Sequence, residues 1–173
     1  MSASVEQAIA SARTESGTSL AELSAQSPVL IVFLRHSGCP FCRQALADLR
    51  RLRPELDKAG TQLVLVHQDT PERAVGWIAK YGLGNCEQIS DPHNELYQQF
   101  ELGKASWWNL VGPHTWWAGF KATLLELHGI GKIVGDVQQL SGAFLIREGK
   151  VVQAFRQQYS SDRPDYASMV CDL

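Results

Sequence analysis

The 173-residue chain is about the size of one globular domain, and a 45% hydrophobic composition can bury a core without disulfide staples. A formal net charge of -2 lacks the clustered basic surface that nucleic-acid phosphates require, so nucleic acid is not expected as a partner. No run approaches ~20 unbroken apolar residues, and Met1 to Ala12 has no basic start, apolar run and cleavage site, which predicts a cytoplasmic protein without a membrane partner.

In chain order, residues 1–27 read as a helical lead-in, with Val5, Ala8, Ile9, Ala12, Leu20 and Leu23 at helix-like spacing, a break at Gly17 and a close at Ser27-Pro28. Residues 28–173 read as a single domain. Val29 to Leu34 is a continuous apolar run rich in β-branched residues, the pattern of a central strand buried on both faces. Pro40 opens a helix in which Ala45, Leu46, Leu49, Leu52 and Leu56 recur every three or four residues, with Arg43, Arg50, Arg51 and Arg53 on other faces. Leu63 to Val66 predicts a second strand, and Thr70-Pro71-Glu72 starts a helix through Tyr81. Glu87 to Asp91 reads as a short third strand, Asp91-Pro92 as a turn, and Leu96, Tyr97 and Phe100 as marks of a short amphipathic helix. A Trp-rich insertion at about 103–131 interrupts the rhythm before a final hairpin, Ala143 to Arg147 and Val151 to Phe155, joined at Glu148-Gly149-Lys150. Ser160-Ser161-Asp162 and Pro164 lead into a last short helix. The expected architecture is α/β: a central mixed sheet, parallel at first and ending antiparallel, flanked by helices.

Four cysteines are too few for a disulfide scaffold, and two of them stand three residues apart in Cys39-Pro40-Phe41-Cys42, which suggests chemistry. The pair follows a buried strand and opens a helix, where unpaired backbone N–H groups and the positive end of the dipole favour an anion. Cys39 is therefore expected to be the attacking thiolate and Cys42, one turn further in, the resolving thiol. Arg35, His36 and Arg43 are candidate thiolate-stabilising cations, although Arg35 and His36 could instead point to solvent. A C-x-x-C is also half of a zinc site, but Cys86 and Cys171 are isolated and no second C-x-x-C or H-x3-H pair exists, so no metal is expected. An inert structural pair is the other alternative. Cys86 reads as a small core residue and Cys171 as a tail thiol, with an outside resolving role for the latter.

Leu34-Arg35-His36-Ser37-Gly38-Cys39-Pro40-Phe41-Cys42 resembles the opening motif of the AhpC/TSA-like, peroxiredoxin-like proteins, which include the prostamide/prostaglandin F synthase and selenoprotein L types. The resemblance continues through Ser90-Asp91-Pro92, Gly129-Ile130-Gly131, Gly135-Asp136, Gln139 to Ile146 and Gly149-Lys150-Val151, and covers most of the chain from Pro28 to Asp165. It implies a thioredoxin-like fold and antioxidant, peroxide-reducing activity at the two motif cysteines. The chain also departs from the pattern. Typical peroxiredoxins place Pro seven and Thr or Ser three residues before the reacting cysteine; those positions are Val32 and His36 before Cys39, and Arg35 and Cys39 before Cys42. The late arginine of typical members corresponds to about Ser141, and the buried carboxylate of thioredoxins to Phe33. Weak reduction of hydrogen peroxide is the expected consequence.

Trp107, Trp108, Trp116 and Trp117, with His114 between the pairs, could form an apolar platform over the thiols for a bulky peroxide or a partner peptide; packing of a helical hairpin onto the sheet is the favoured reading. Lys104 and Lys121 alone do not give the insertion a membrane-docking face. His67 and Asp69 read as structural, and His93, His114 and His128 are too scattered for a metal cluster. The chain carries no Gly-rich dinucleotide fingerprint and needs no bound cofactor, so thioredoxin or glutathione is the expected reductant, with a small-molecule peroxide or a protein disulfide as oxidant. The rival reading is a non-enzymatic redox sensor or interaction module.

Overall fold

The computed structural model describes residues 3–35, 37–105, 135–159 and 162–171; His36, all four tryptophans of the 103–131 insertion, His114, His128 and the side chain of Cys171 lie outside the described residues. Five strands form one sheet in the order β3-β2-β1-β4-β5. β1 (Val29–Phe33) sits at its centre because every residue in it is apolar and buried. It pairs in parallel with β2 (Gln62–His67), and β2 in parallel with β3 (Glu87–Ser90). On the other side β1 pairs antiparallel with β4 (Gly142–Arg147), and β4 antiparallel with β5 (Lys150–Arg156). The two-residue turn of this hairpin places both Glu148 and Gly149 at positive φ, 50° and 73°, the conformation whose twist matches the flanking strands.

Alternation along β1 divides the core. Leu30 and Val32 face α3 (Pro40–Lys58), α4 (Pro71–Ile78) and a C-terminal helix α6 (Tyr166–Cys171), in a cluster that also holds Cys39 and Cys42. Val29, Ile31 and Phe33 face α1 (Ala3–Ser11), α2 (Leu20–Gln26) and α5 (Glu95–Gln99). The N-terminal helices are thus part of the packing: Val5, Ala8, Ile9, Leu20 and Leu23 cover the sheet beside Phe144 and Ile146. Ser19 and Glu22 form a reciprocal capping box at the start of α2.

Strand ends differ from the sequence reading by a residue, and two of the differing boundaries have a visible cause. The helix expected through Tyr81 is α-helical only to Ile78 and tightens to a 3-10 turn over Ala79–Tyr81, closed by Gly82 at φ 71°. The third strand stops at Ser90 because Asp91 turns its carboxylate onto the N-terminus of α5, accepting from the backbone N–H of Glu95 (3.0 Å), Leu96 (2.8 Å) and Tyr97 (3.3 Å).

Candidate active site

Cys39 is the residue that caps α3 and Pro40 occupies its first turn, so the ring's missing N–H falls where no helical partner is needed. Both motif sulfurs are reduced and enclosed, with Cys39 2% and Cys42 3% exposed. β1 ends at Phe33, and Arg35, two residues on, lies over the start of the helix. Arg35 is buried, at 4% exposure, and its Nη2 donates to Cys39 Sγ at 2.8 Å. Its guanidinium carbon lies 5.9 Å from the centre of the Phe41 ring. The backbone N–H of the same residue donates to Cys42 Sγ at 3.1 Å. One arginine therefore addresses both sulfurs, by its side chain and by its main chain.

The electrostatics follow from this enclosure. Burial alone would lower the Arg35 guanidinium's pKa, but the two sulfurs beside it outweigh that effect and hold it above its usual value. Burial pushes the Cys42 thiol well above its ordinary value; the hydrogen bond and charge of Cys39 add to this, and Arg35 only partly offsets it. The two cysteines are thus unequal. The Arg35 guanidinium donates to Cys39 Sγ, while at Cys42 burial outweighs the arginine and disfavours the thiolate.

Of the other sequence candidates, Arg43 Nε donates to the Ser37 carbonyl at 3.0 Å and so braces the loop before the motif. Asp69, fully buried, does the same from below, its Oδ2 accepting the Ser37 N–H at 3.3 Å. His67 is buried with Nδ1 2.9 Å from the Asp69 carbonyl, in keeping with a structural role for that pair. Cys86 is a buried residue of the α3 face, with Arg53 Nη1 donating to its sulfur at 2.8 Å; burial pushes this thiol up. His93 stands apart in the turn before α5. Among the described residues, no group of three or more His, Cys, Asp or Glu side chains is placed to hold a metal ion.

Two features escaped the sequence reading. Tyr97 is completely buried and its hydroxyl donates to the Leu34 carbonyl, directly before Arg35. A cavity of about 30 Å³ also reaches Cys42, room for roughly one or two waters. It is lined by Phe41, Ala45, Gly142, Phe155 and Tyr166 and edged by Arg163, which pairs with Asp48. A Cβ on Gly142 would stand 2.5 Å from Leu102 Cδ2 and 2.9 Å from the Phe155 carbonyl oxygen, so only glycine lets β4 pass here.

A mixed sheet whose central strand delivers a C-x-x-C to the first turn of a helix defines a thioredoxin-fold protein. Solved structures share the architecture: a cysteine-to-serine mutant of Xanthomonas campestris peroxiredoxin Q (TM-score 0.60, 24% identity, 88% of this chain and 80% of that one) and a putative thiol:disulfide interchange protein DsbE from Chlorobium tepidum (TM-score 0.59, 16% identity, 93% and 89%). Within that class, residues 48–159 match the AhpC/TSA antioxidant enzyme family, and the chain belongs to it. Curated relatives include peroxiredoxin-like 2A of Mus musculus, 28% identical over 151 residues (86% of this chain, 67% of the relative), and of Rattus norvegicus, 30% identical (86% and 64%). The prostamide/prostaglandin F synthase of Salmo salar is 26% identical over 148 residues, 83% of this chain and 72% of that protein. The chain thus spans about two thirds of the length of the peroxiredoxin-like 2A proteins. No helix among the described residues is long and apolar enough to cross a membrane.

Proposed function

We propose that the chain is a cytoplasmic thiol-disulfide oxidoreductase that reduces a peroxide or a protein disulfide at Cys39, with Cys42 as resolving thiol and thioredoxin or glutathione as reductant. The observation that carries this reading is the buried Arg35 guanidinium 2.8 Å from Cys39 Sγ, with the second sulfur one helical turn further on. A cation in a water-poor site favours thiolate over thiol, and the thiolate is the nucleophile. With a peroxide, Cys39 attacks one oxygen, an S–O bond forms as the O–O bond breaks, and the second oxygen leaves as alcohol or water after taking a proton. Cys42 then attacks the sulfenic sulfur, an S–S bond forms and water departs. Two thiols of the reductant restore the pair by exchange. With a disulfide substrate, Cys39 attacks one sulfur and forms a mixed disulfide as the first substrate thiol leaves; Cys42 then attacks Cys39 Sγ, closing the S–S bond and releasing the second substrate thiol.

A second reading is a redox sensor. The feature that favours it is the enclosure of both sulfurs in the cluster that seats Tyr166, Met169 and Val170, so that closing the disulfide would repack α6. NADPH consumption with thioredoxin and its reductase separates the two, offering hydrogen peroxide, a bulky hydroperoxide and a protein disulfide in turn. Turnover abolished by Cys39→Ser supports the enzyme; a single equivalent oxidised without turnover supports the sensor.

A further inference from the structure

Tyr97 touches neither sulfur, yet its hydroxyl is joined to one of them by a single peptide group. The hydroxyl donates to the Leu34 carbonyl oxygen, with the Val66 carbonyl 3.4 Å away, and the N–H on the other side of that peptide, from Arg35, donates to Cys42 Sγ at 3.1 Å. In a trans peptide the C=O and N–H dipoles point in opposite directions, so fixing the carbonyl fixes the aim of the N–H, and a donor on the oxygen strengthens the amide as a donor.

We propose that the Tyr97 hydroxyl is a positioning group for the Cys42 thiol, acting through the Leu34–Arg35 peptide. The surroundings are built to hold it still. Asp91 receives the backbone N–H of Tyr97 itself (3.3 Å) and so sets the first turn of α5. The ring packs edge-on against Phe33, centroids 5.0 Å apart, on the strand that leads to Leu34. Leu34 in turn donates its own N–H to Val66 at 2.7 Å, leaving the carbonyl little freedom except about the tyrosine bond. Burial holds the phenol protonated well above its usual range, with Cys42, Asp91 and Asp69 adding to this, so it remains a donor. The other groups facing the Cys42 sulfur are Cys39 on the same helix, the Arg35 guanidinium from the loop after β1 and Tyr166 from α6; Asp48 and Arg163 edge the cavity beside it. None of these supplies a second backbone donor.

The inference bears on the proposed redox role through Cys42, but its test reads the thiol itself, so a failed turnover assay and a failed coupling are separate results. In a Cys39→Ser background, which isolates Cys42, the pH dependence of Cys42 alkylation is followed by peptide-resolved mass spectrometry with and without Tyr97→Phe. The hydroxyl's loss is expected to slow alkylation at a fixed pH below the midpoint by about three- to tenfold and to move the midpoint upward. Phe100→Leu, which loosens the same aromatic cluster without a polar contact, is expected to lower stability and leave the profile in place. A Tyr97→Phe profile that coincides with that of its parent, whatever the change in thermal midpoint, overturns the proposal. Should Tyr97→Phe fail to fold, NMR on the Cys39→Ser protein decides: the Arg35 amide and the labelled Cζ of Tyr97 must both shift with the Cys42 titration, and a flat trace from either overturns it.

Discussion

Replacing Arg35 with methionine removes a buried charge and keeps most of the side chain's length. The lost contact is an N–H to sulfur bond at 2.8 Å from a guanidinium that is 4% exposed, where solvent does little to screen it. A charge-assisted hydrogen bond in such a setting is worth about 2 kcal/mol, and 1.36 kcal/mol corresponds to tenfold in a protonation equilibrium, so the ionisation constant of the Cys39 thiol is expected to fall roughly thirtyfold. The sign follows from charge: the cation favours the thiolate, and without it a higher pH is needed to form one. Stopped-flow alkylation of Cys39 between pH 5 and 10 measures this, with the thiolate absorbance near 240 nm as an independent readout. Rates should converge at high pH, where the thiol ionises in either protein. Folding stability should fall as well, because only one member of the buried pair is removed and the sulfur loses its counter-charge until it takes up a proton. Equal alkylation rates at pH 7 with equal limiting rates would refute the reasoning, since the guanidinium would then do nothing for the sulfur it touches.

Asp91→Ala strips three backbone N–H groups of their acceptor at the start of α5 and is expected to cost about 1–2 kcal/mol in urea unfolding. Burial holds His67 below its ordinary value of 6.5, against the smaller pull of the Asp69 carbonyl and charge. The unfolded chain therefore takes up that proton more readily, and stability should decline as pH falls from 7.5 to 5.5; thermal unfolding of His67→Gln over the same range should show a flatter dependence. Arg163→Ala breaks a half-exposed ion pair with Asp48 and should lower stability by no more than about 1 kcal/mol, while alkylation of Cys42 by a small reagent accelerates because the edge of its cavity opens.

Much of this architecture was legible before any coordinates. Val29 to Leu34 could only be a strand buried on both faces, and Pro40 followed by leucines at helical spacing could only pack on it, so the cysteines had to fall at the junction. The family resemblance opened on the motif that follows this strand and continued through the later Gly-containing segments to Asp165. What decided the site was set by contacts distant in sequence. Arg35 and Arg43 both stand four residues from Cys39 along the chain, and only the folded structure turns Arg35 onto the sulfur while Arg43 reaches a carbonyl. Tyr97 read correctly as a mark of an amphipathic helix, but its hydroxyl's acceptor lies 63 residues earlier, beyond any local pattern. Asp91 read as a turn residue because Pro92 follows it, and its second role as a helix cap was hidden by the unusual entry through Asn94 at φ 59°. The Ser19 to Glu22 spacing was a readable capping signature that the periodicity of the lead-in obscured.

The pairing of β1 carries a consequence for how the protein is made. Its first neighbour, β2, follows after one helix, but its second, β4, lies at the far end of the sequence, with Leu30 opposite Leu145. During synthesis the α3 face can begin to assemble early, while the antiparallel half of the sheet waits for most of the chain to leave the ribosome. Until β4, β5 and α6 arrive, Cys42 lacks the wall formed by Gly142, Phe155 and Tyr166, and the nascent chain carries this sulfur in its least sheltered form.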